Sequence, residues 1–244
     1  MSDLDKIVSE LRSLANIEKA AILSRFFKTG KGEYGEGDLF LGITVPDQRK
    51  LAKKYAASAS KATITSLLNS PIHEHRLTGV LMLCIKFNTT RKNNEEKQWI
   101  ELYLKKINRI NNWDLVDSSA HIILGQWLED KERDILYKYA ITDSLWKNRI
   151  AIISTLHFIK NNDIKDLLKI STMMLSHQHD LIHKATGWML REAWKRNPAE
   201  IENFISSHAS NMPRTMLRYA IEKMNAKKRA AFMKVKQQKR TLTK

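Results

Sequence analysis

The sequence predicts an all-α protein, an α-solenoid of HEAT-like helical repeats that forms a curved single domain. Three observations support this prediction. Glycine (8) and proline (4) are scarce among the 244 residues, which disfavours an all-β architecture. Apolar residues recur at helical spacing along most of the chain. Helix pairs also recur every ~35–40 residues, in segments that start near Pro71, Trp113, Leu145 and His179, and this period is typical of HEAT and armadillo repeats.

The predicted helices follow one another with short connections. Each of the four prolines stands where a helix is expected to begin, a position that tolerates proline. The expected helices cover approximately 3–14, 17–28, 46–57, 60–69, 71–87, 93–107, 113–128, 131–141, 145–160, 163–175, 179–195, 198–207, 213–224 and 226–237. The predicted connections are mostly two to six residues long, and such short loops favour an antiparallel arrangement of consecutive helices. We therefore expect one repeat domain over residues 1–234.

The main interruption of the helical pattern is a glycine-rich segment. Five of the eight glycines lie between Gly30 and Gly42, which predicts a long surface loop. The segment contains a formal G-x-G-x-x-G at 30–35. A dinucleotide site needs a strand before this motif and a helix directly after it, and neither is predicted here. The loop is better interpreted as mobile, or as a place where backbone segments approach closely.

Positive charge is the strongest compositional signal of function. The formal net charge is +16 and the isoelectric point is about 9.8, which favours a polyanionic partner, most simply nucleic acid. A membrane surface is the competing polyanion. Residues 227–244 hold eight basic residues and no acidic one. We expect the end of this segment, residues 235–244, to form a frayed basic tail that adds sequence-independent phosphate affinity.

Other sequence features narrow the class of protein. No apolar run approaches ~20 residues, so no membrane span is expected. The first residues lack the pattern of a signal peptide. Cys84 is the only cysteine, which excludes an intrachain disulfide and a thiolate metal cluster. We therefore expect a soluble cytoplasmic protein, nucleoid-associated when bound to DNA, that acts as a monomer away from membranes.

The segment around Trp113 is the first candidate site. On a helix, Trp113 and Asp117 lie one turn apart on the same face, with Ala120 and Leu124 continuing that stripe. A large aromatic ring beside a carboxylate, with apolar neighbours, is an unusual combination. The alternative is that Trp113 belongs to the core and Asp117 is an exposed or capping acid.

A second candidate lies near residue 188. Lys184, Trp188, Arg191 and Lys195 form one stripe about 60° wide on a predicted helix. An aromatic ring among three cations suits a nucleic-acid surface. The alternative is that the basic side chains cover Trp188 on a solvated face. Arg149 lies early on a mostly apolar helix, where a salt bridge inside the stack is the competing interpretation.

Histidine clusters provide weaker candidates. His73 and His75 flank Glu74, and His177, His179 and His183 lie close in sequence. Glu74 and His75 do not share a helix face with His73, and the second group offers only the pairs His177/His179 and His179/His183, so spacing fixes no third ligand. We therefore expect no metal ion and no cofactor.

Several segments resemble the AlkD family of bacterial alkylpurine DNA glycosylases. The matching segments are 112–117 (NWDLVD), 146–156 (WKNRIAIISTL), 184–192 (KATGWMLRE) and parts of 26–43. They lie in the same order as in the family, and the resemblance covers most of residues 20–225. It implies a curved stack of HEAT-like repeats that holds duplex DNA in a basic concave groove.

The resemblance also implies an activity: hydrolysis of the N-glycosidic bond of cationic N3- or N7-alkylated purines in duplex DNA. Asp117 takes the position of the catalytic carboxylate. Trp113 and Trp188 take the two aromatic positions that flank the lesion, and Arg149 takes the neighbouring basic position. Some members carry a tyrosine on the helix before the first loop, where this chain has two phenylalanines. The resemblance further implies that the base need not be flipped into a deep pocket.

These residue types suit that chemistry. An alkylated purine already carries positive charge and leaves as a neutral base, while the sugar develops oxocarbenium character that a fixed carboxylate stabilises. Arg149 near Asp117 would keep that carboxylate ionised. The stripe Lys184, Arg191 and Lys195 would bind the DNA backbone. Two alternatives remain: a non-catalytic HEAT-repeat protein that binds damaged or branched DNA, and a solenoid that binds an acidic protein.

Overall fold

The computed structural model describes residues 2–237. Over this range the chain forms fourteen α-helices and no β-strand, and Leu39 and Ile72 form an isolated bridge. The helices are α1 (Asp3–Ser13), α2 (Ile17–Phe26), α3 (Val45–Ala56), α4 (Lys61–Asn69), α5 (His73–Arg91), α6 (Lys97–Lys105), α7 (Trp113–Ser119), α8 (Asp134–Ala140), α9 (Leu145–Lys160), α10 (Lys165–Met173), α11 (Asp180–Trp194), α12 (Pro198–His208), α13 (Arg214–Ile221) and α14 (Ala226–Lys234). The all-α prediction is confirmed.

The largest departure from the expected boundaries lies after Trp113. One helix was expected over 113–128, but α7 ends at Ser119 and a π-helical segment, His121–Gly125, follows. The hydroxyl of Ser119 donates to the Leu115 carbonyl at 2.7 Å. Such a bond back to the preceding turn often bends a helix, but Ser154 makes the same bond to Ile150 within the continuous helix α9, so this bond alone does not explain the break.

The chain divides within this π segment into two compact units, Met1–Ile123 and Leu124–Lys244. A single domain over 1–234 stays a prediction. Most of the predicted tail, residues 238–244, lies outside the described residues.

In the first unit, α5 is the central element. Its side chains are buried over most of its length, and α1, α3, α4 and α7 pack against it. Even its first turn, with His73, Glu74, His75 and Arg76, is buried. Polar side chains at such positions need hydrogen-bond partners, which here come from the glycine-rich loop, from α7 and from residues 70–71 just before α5.

In the second unit, α9, α11 and α13 pack in series, while α8, α10 and α12 lie against them. This is the two-layer arrangement of helical repeats. The close approach of α11 to α13 depends on Gly187: a Cβ at this position would lie 2.6 Å from Cβ of Tyr219 and closer still to the Met216 carbonyl oxygen. Within residues 2–237, no helix has the length and apolarity needed to cross a membrane.

Candidate functional site

The start of α7 fixes the position of Trp113. Asn112, fully buried, caps the helix by accepting the backbone N–H of Trp113 at 2.8 Å. Leu115 and Val116 face the core, whereas Trp113 and Asp117 are both half-buried and lie one turn apart. The helix therefore presents an indole and a carboxylate side by side at partly accessible positions.

An aromatic stack supports the Trp113 ring. Phe27 lies parallel to it, with centroids 5.0 Å apart and an interplanar angle of 8°, and Phe26 meets it edge-on at 5.9 Å. Phe27 also stacks on Phe40 at 5.0 Å, and Phe40 stacks on the imidazole of His73 at 4.6 Å. Offset stacks of this kind contribute about 0.5–1.5 kcal/mol per pair beyond burial, so the indole is held in a defined orientation.

A buried network of charged side chains lies beneath this stack. His73 joins two carboxylates, with Nδ1 3.1 Å from Asp38 and Nε2 2.8 Å from Asp114. The guanidinium of Arg76 donates to Asp38 at 2.6 Å, and the Asn112 amide donates to the same carboxylate at 3.2 Å. Because Asp114 follows Trp113 directly, the network ties the first turn of α7 to α5 and to the loop.

The protonation states in this network follow from its geometry. Burial lowers the pKa of His73, but hydrogen bonds with Asp114 and Asp38 outweigh this and raise the pKa to about 9. Burial opposes ionisation of Asp38, yet the bond with His73 and the charge of Arg76 lower its pKa below the ordinary value. At neutral pH, His73 is therefore an imidazolium between two carboxylates.

The carboxylate of Glu74 anchors the end of the glycine-rich loop. It accepts the backbone N–H groups of Leu41, Gly42 and Ile43 at distances of 2.8 to 3.2 Å. Gly42 has φ of +82°, and a Cβ there would lie 2.6 Å from the backbone nitrogen of Ala20. Only glycine fits this conformation and approach without strain. This end of the loop is thus the close backbone approach expected from the sequence.

In the second unit, Arg149 and Trp188 lie on neighbouring helices of one layer. Arg149 is 5% exposed, and its guanidinium donates to the Leu181 carbonyl on α11 at 2.5 Å. Trp188 is half-buried, next to the glycine that brings α11 against α13. The structure thus connects Arg149 with the helix that carries Trp188. Its predicted role beside Asp117 stays a proposal.

The three cations of the predicted DNA-binding stripe each have an acidic partner. Lys184 pairs with Asp180 at 2.8 Å and Lys195 with Glu192 at 2.5 Å, while Arg191 pairs with Glu222 as well as with Glu192. Lys223 also lies 3.8 Å from Glu222, so the group holds four basic and three acidic side chains, and the acids offset most of its positive charge. The prediction of a basic stripe depended on the cations alone. Ion pairs at accessible positions are weak, so phosphate groups can replace the acids at modest cost.

The histidines that were considered as metal ligands have other partners. Nδ1 of His75 contacts the Ser70 hydroxyl, Nε2 of His177 contacts Asn148, and His179 caps α11. In the described part of the chain, no group of three or more His, Cys, Asp or Glu side chains is arranged to hold a metal ion.

Comparison with known proteins identifies the family. A family model described as DNA alkylation repair enzyme matches residues 7–224, nearly the whole chain. The chain belongs to the DNA alkylation repair enzyme family. This membership assigns the protein to DNA repair. The match includes α7, α9 and α11, and it ends before α14.

One solved structure similar to this family member is described as a predicted DNA alkylation repair enzyme from Enterococcus faecalis. It is 19% identical, with a TM-score of 0.67, and the similarity covers 87% of this chain and 97% of that chain. At this identity the likeness shows the fold alone. No curated protein matches the chain.

The residues that support the site in this family member were not predicted from the sequence. Asp38, His73 and Asp114 are all below 10% exposure and join segments far apart in sequence. One signal was available: Asp114 and Asp38 both lie inside the segments that carried the family resemblance. A buried ion network is hard to predict from sequence, because an acidic residue on a helix is usually exposed to solvent.

Proposed function

We propose that this protein is a DNA repair glycosylase that acts as a monomer and releases N3- or N7-alkylated purines from duplex DNA. The observation that carries the proposal is the pair of Trp113 and Asp117 on α7, in a member of the DNA alkylation repair enzyme family. Both side chains are partly accessible, and the Trp113 ring is held by stacking on Phe27.

In the proposed reaction, the carboxylate of Asp117 acts on the sugar of the damaged nucleotide. Cleavage of the N-glycosidic bond transfers the bonding electron pair to the cationic purine, which leaves as a neutral base. The deoxyribose carbon develops positive charge, which an ionised carboxylate stabilises. The same carboxylate orients the water that attacks this carbon and accepts the proton that the water loses as the new C–O bond forms, as a general base does in hydrolysis of other glycosides.

The aromatic side chains are proposed to recognise the charge of the lesion. A cationic purine over an indole ring gains on the order of 1–2 kcal/mol when it is desolvated, and an unmodified purine carries no such charge. Trp113 is proposed to provide one of these rings and Trp188 the other, with Arg149 contacting the lesion nearby. Stacking on Phe27 limits rotation of Trp113, so little entropy is lost when it contacts the lesion.

The decisive experiment measures base release. The purified protein is incubated with duplex DNA that carries 7-methylguanine, with EDTA present, and free base and abasic sites are quantified. Asp117→Asn keeps the size of the side chain, so we expect DNA binding to be retained while release falls at least ~100-fold, as for loss of a group that stabilises a transition state. Asp134→Asn, at the exposed start of α8, is the matched control.

Three outcomes separate the alternatives. Release by the wild type and by Asp134→Asn, but not by Asp117→Asn, supports the proposal. Normal release by Asp117→Asn would remove this residue from the chemistry. Binding of damaged duplex without any release by the wild type would instead identify a non-catalytic DNA-binding protein.

A second test concerns the DNA backbone. Changing Lys184, Arg191 and Lys195 together to Ala should make binding less dependent on salt, because each phosphate contact contributes about 0.9 to the logarithmic slope. Three contacts set an upper limit of about 3 on the decrease in this slope. The decrease should be smaller than the limit if the acidic partners already neutralise part of the charge of the three cations. The matched control removes three cations on or near α6: Lys92, Lys97 and Lys105. An equal decrease in both variants would show that the stripe has no special role.

A further inference from the structure

A groove in the first unit lies between α3, α5 and α7, beside the proposed catalytic carboxylate. Its volume is about 240 Å³. An engineered cavity of about 150 Å³ holds benzene, so this groove has room for a sugar ring. Ser118, which lines the groove, follows Asp117 directly, and Ile122 in the π-helical segment also lines it. A molecule in this groove therefore lies along the flank of α7, next to the face that carries Asp117.

The groove has an apolar floor and a polar rim. The floor is formed by buried and half-buried side chains: Ala52, Leu81, Cys84, Ile85 and Ile122. The rim consists of four polar side chains: Arg49, Lys53, Asn88 and Ser118. Burial raises the pKa of Cys84 to about 12, so its thiol is neutral at physiological pH. The floor therefore carries no negative charge that would oppose an anion.

The rim side chains are free to bind a ligand. Within residues 2–237, none of the four makes a side-chain hydrogen bond or an ion pair, and no acidic side chain lines the groove. Two other lysines of α3 are paired: Lys50 with Asp47 at 3.3 Å and Lys54 with Glu10 at 2.6 Å. Each rim side chain can donate hydrogen bonds, and two of them are cations. The rim is thus suited to an anion, in contrast to the paired cations on α11.

An apolar floor beneath a cationic rim is complementary to a sugar–phosphate unit. Arg49 and Lys53 are exposed and lie one turn apart on α3, so both can reach one phosphate or two successive phosphates of a strand. The carbon atoms of a deoxyribose ring can cover the floor at Leu81 and Ile85. An acidic protein is the competing polyanion, but an Asp or Glu side chain has no ring to cover this floor. Charge and shape together therefore favour DNA.

We propose that this groove binds the sugar–phosphate backbone of DNA at the nucleotide next to the damaged one. The deoxyribose lies on the apolar floor, and the phosphate accepts hydrogen bonds from Arg49 and Lys53. Contacts with phosphate position a strand without reading its sequence, so the groove holds the strand against α7 whatever the neighbouring base is. The inference rests on the proposed function in taking duplex DNA as the substrate, but it does not require base release.

The first test uses the full chain and a short undamaged DNA duplex. Occupancy is followed by NMR shifts of the Arg49 side-chain N–H, the Asn88 side-chain amide and the Ser118 backbone amide. The side-chain amide of Gln98, on the exposed face of α6, is the reference signal. We expect the three groove signals to shift in a saturable way and the Gln98 signal to stay in place.

The second test removes the two rim cations. Arg49→Gln combined with Lys53→Gln should lower the logarithmic salt dependence of DNA binding by up to about 1.8, because each phosphate contact contributes about 0.9. Affinity at low salt should fall at least about tenfold. Lys50→Gln combined with Lys54→Gln is the matched control: it removes two cations with the same spacing on the same helix, and both already have acidic partners. The control should lower the slope by less than half as much.

The third test places a negative charge at the rim. Asn88→Asp keeps the size of an exposed side chain, and Thr89→Asp adds the same charge at the next exposed position, outside the groove. Both variants alter the overall charge, but only the first places a carboxylate against the bound phosphate. We expect Asn88→Asp to weaken DNA binding at least about fivefold more than Thr89→Asp.

Three results would overturn the inference. The first is DNA binding that leaves all three groove signals unchanged. The second is an equal loss of salt dependence in the two pairs of α3 variants. The third is a shift of the groove signals by poly-glutamate as large as that by DNA, which would identify an acidic protein as the partner. If the groove responds to DNA as expected while alkylated duplex releases no base, the glycosylase proposal fails and this inference stands.

Discussion

The buried imidazolium of His73 makes the stability of the first unit dependent on pH. Its pKa rises from 6.5 to about 9 on folding, because hydrogen bonds with Asp114 and Asp38 outweigh the effect of burial. A group whose pKa is raised on folding stabilises the folded state below its unfolded pKa. This contribution is lost as the pH rises through the folded pKa. The stabilising contribution of His73 is therefore lost between pH 6.5 and about 9.

The size of the contribution of His73 to the free energy of unfolding follows from its pKa values in the unfolded and folded protein. At about 1.4 kcal/mol per pH unit, the difference corresponds to about 3 kcal/mol of unfolding free energy that is present at pH 6.5 and largely gone at pH 9. His73→Gln removes the charge but leaves both carboxylates buried. Loss of one partner from a buried ion network costs about 3–5 kcal/mol. We expect the His73→Gln variant to lose an amount of unfolding free energy near the lower end of this range, because Asp38 keeps its hydrogen bonds with Arg76 and Asn112.

The assay is urea denaturation followed by circular dichroism at pH 6.5, 7.5, 8.5 and 9. The wild type should lose stability across this series. The stability of His73→Gln should change less, so that the difference between the two proteins shrinks by about 3 kcal/mol as the pH rises. His208→Gln, a half-buried residue on α12, is the control. A constant difference between wild type and His73→Gln at all four pH values would refute the argument, since it would show that His73 is not charged in the folded protein.

Two further predictions concern the backbone around the site. Glu74→Gln should loosen residues 41–43, because a neutral amide oxygen is a weaker acceptor for three N–H groups. Their amide hydrogen exchange should quicken by about tenfold or more, whereas Glu101→Gln on α6 should have no effect. Gly187→Ala should destabilise the second unit by about 1–2 kcal/mol, since the added methyl group clashes with α13 and outweighs the helical preference of alanine. A melting temperature equal to or above that of the wild type would contradict this.

The sequence predicted most of the helices because their apolar residues repeat with a simple period. The four prolines also marked helix starts at α3, α5, α12 and α13 within one or two residues. The break between α7 and the π segment escaped prediction, because apolar residues continue through it and periodicity does not report a local change in backbone hydrogen bonding. Local pattern determines which segments are helical, and local contacts decide where they bend.

The candidate site was only partly predictable, for a physical reason. Trp113 and Asp117 share a helix face, so their proximity follows from spacing alone. The contacts of His73 with Asp38 and Asp114 join residues 35 and 41 positions apart, and no period relates them. The acidic partners of the basic stripe were a different case. Asp180 and Glu192 lie within four residues of Lys184 and Lys195, and counting acids together with cations would have predicted these pairs.

The distribution of charge suggests how the proposed lesion recognition and the proposed DNA affinity are divided along the chain. Residues 1–123 contain 19 basic and 14 acidic residues, and 124–244 contain 23 and 12. Most of the surplus in the second half comes from 214–244, which hold 11 basic residues and one acidic residue. The buried network in the first unit carries two positive and two negative charges, so it orients α7 without attracting phosphate. We therefore propose that salt-dependent affinity for DNA comes mainly from the C-terminal part of the chain, whereas the geometry around Trp113 is fixed by buried contacts that salt screens only weakly.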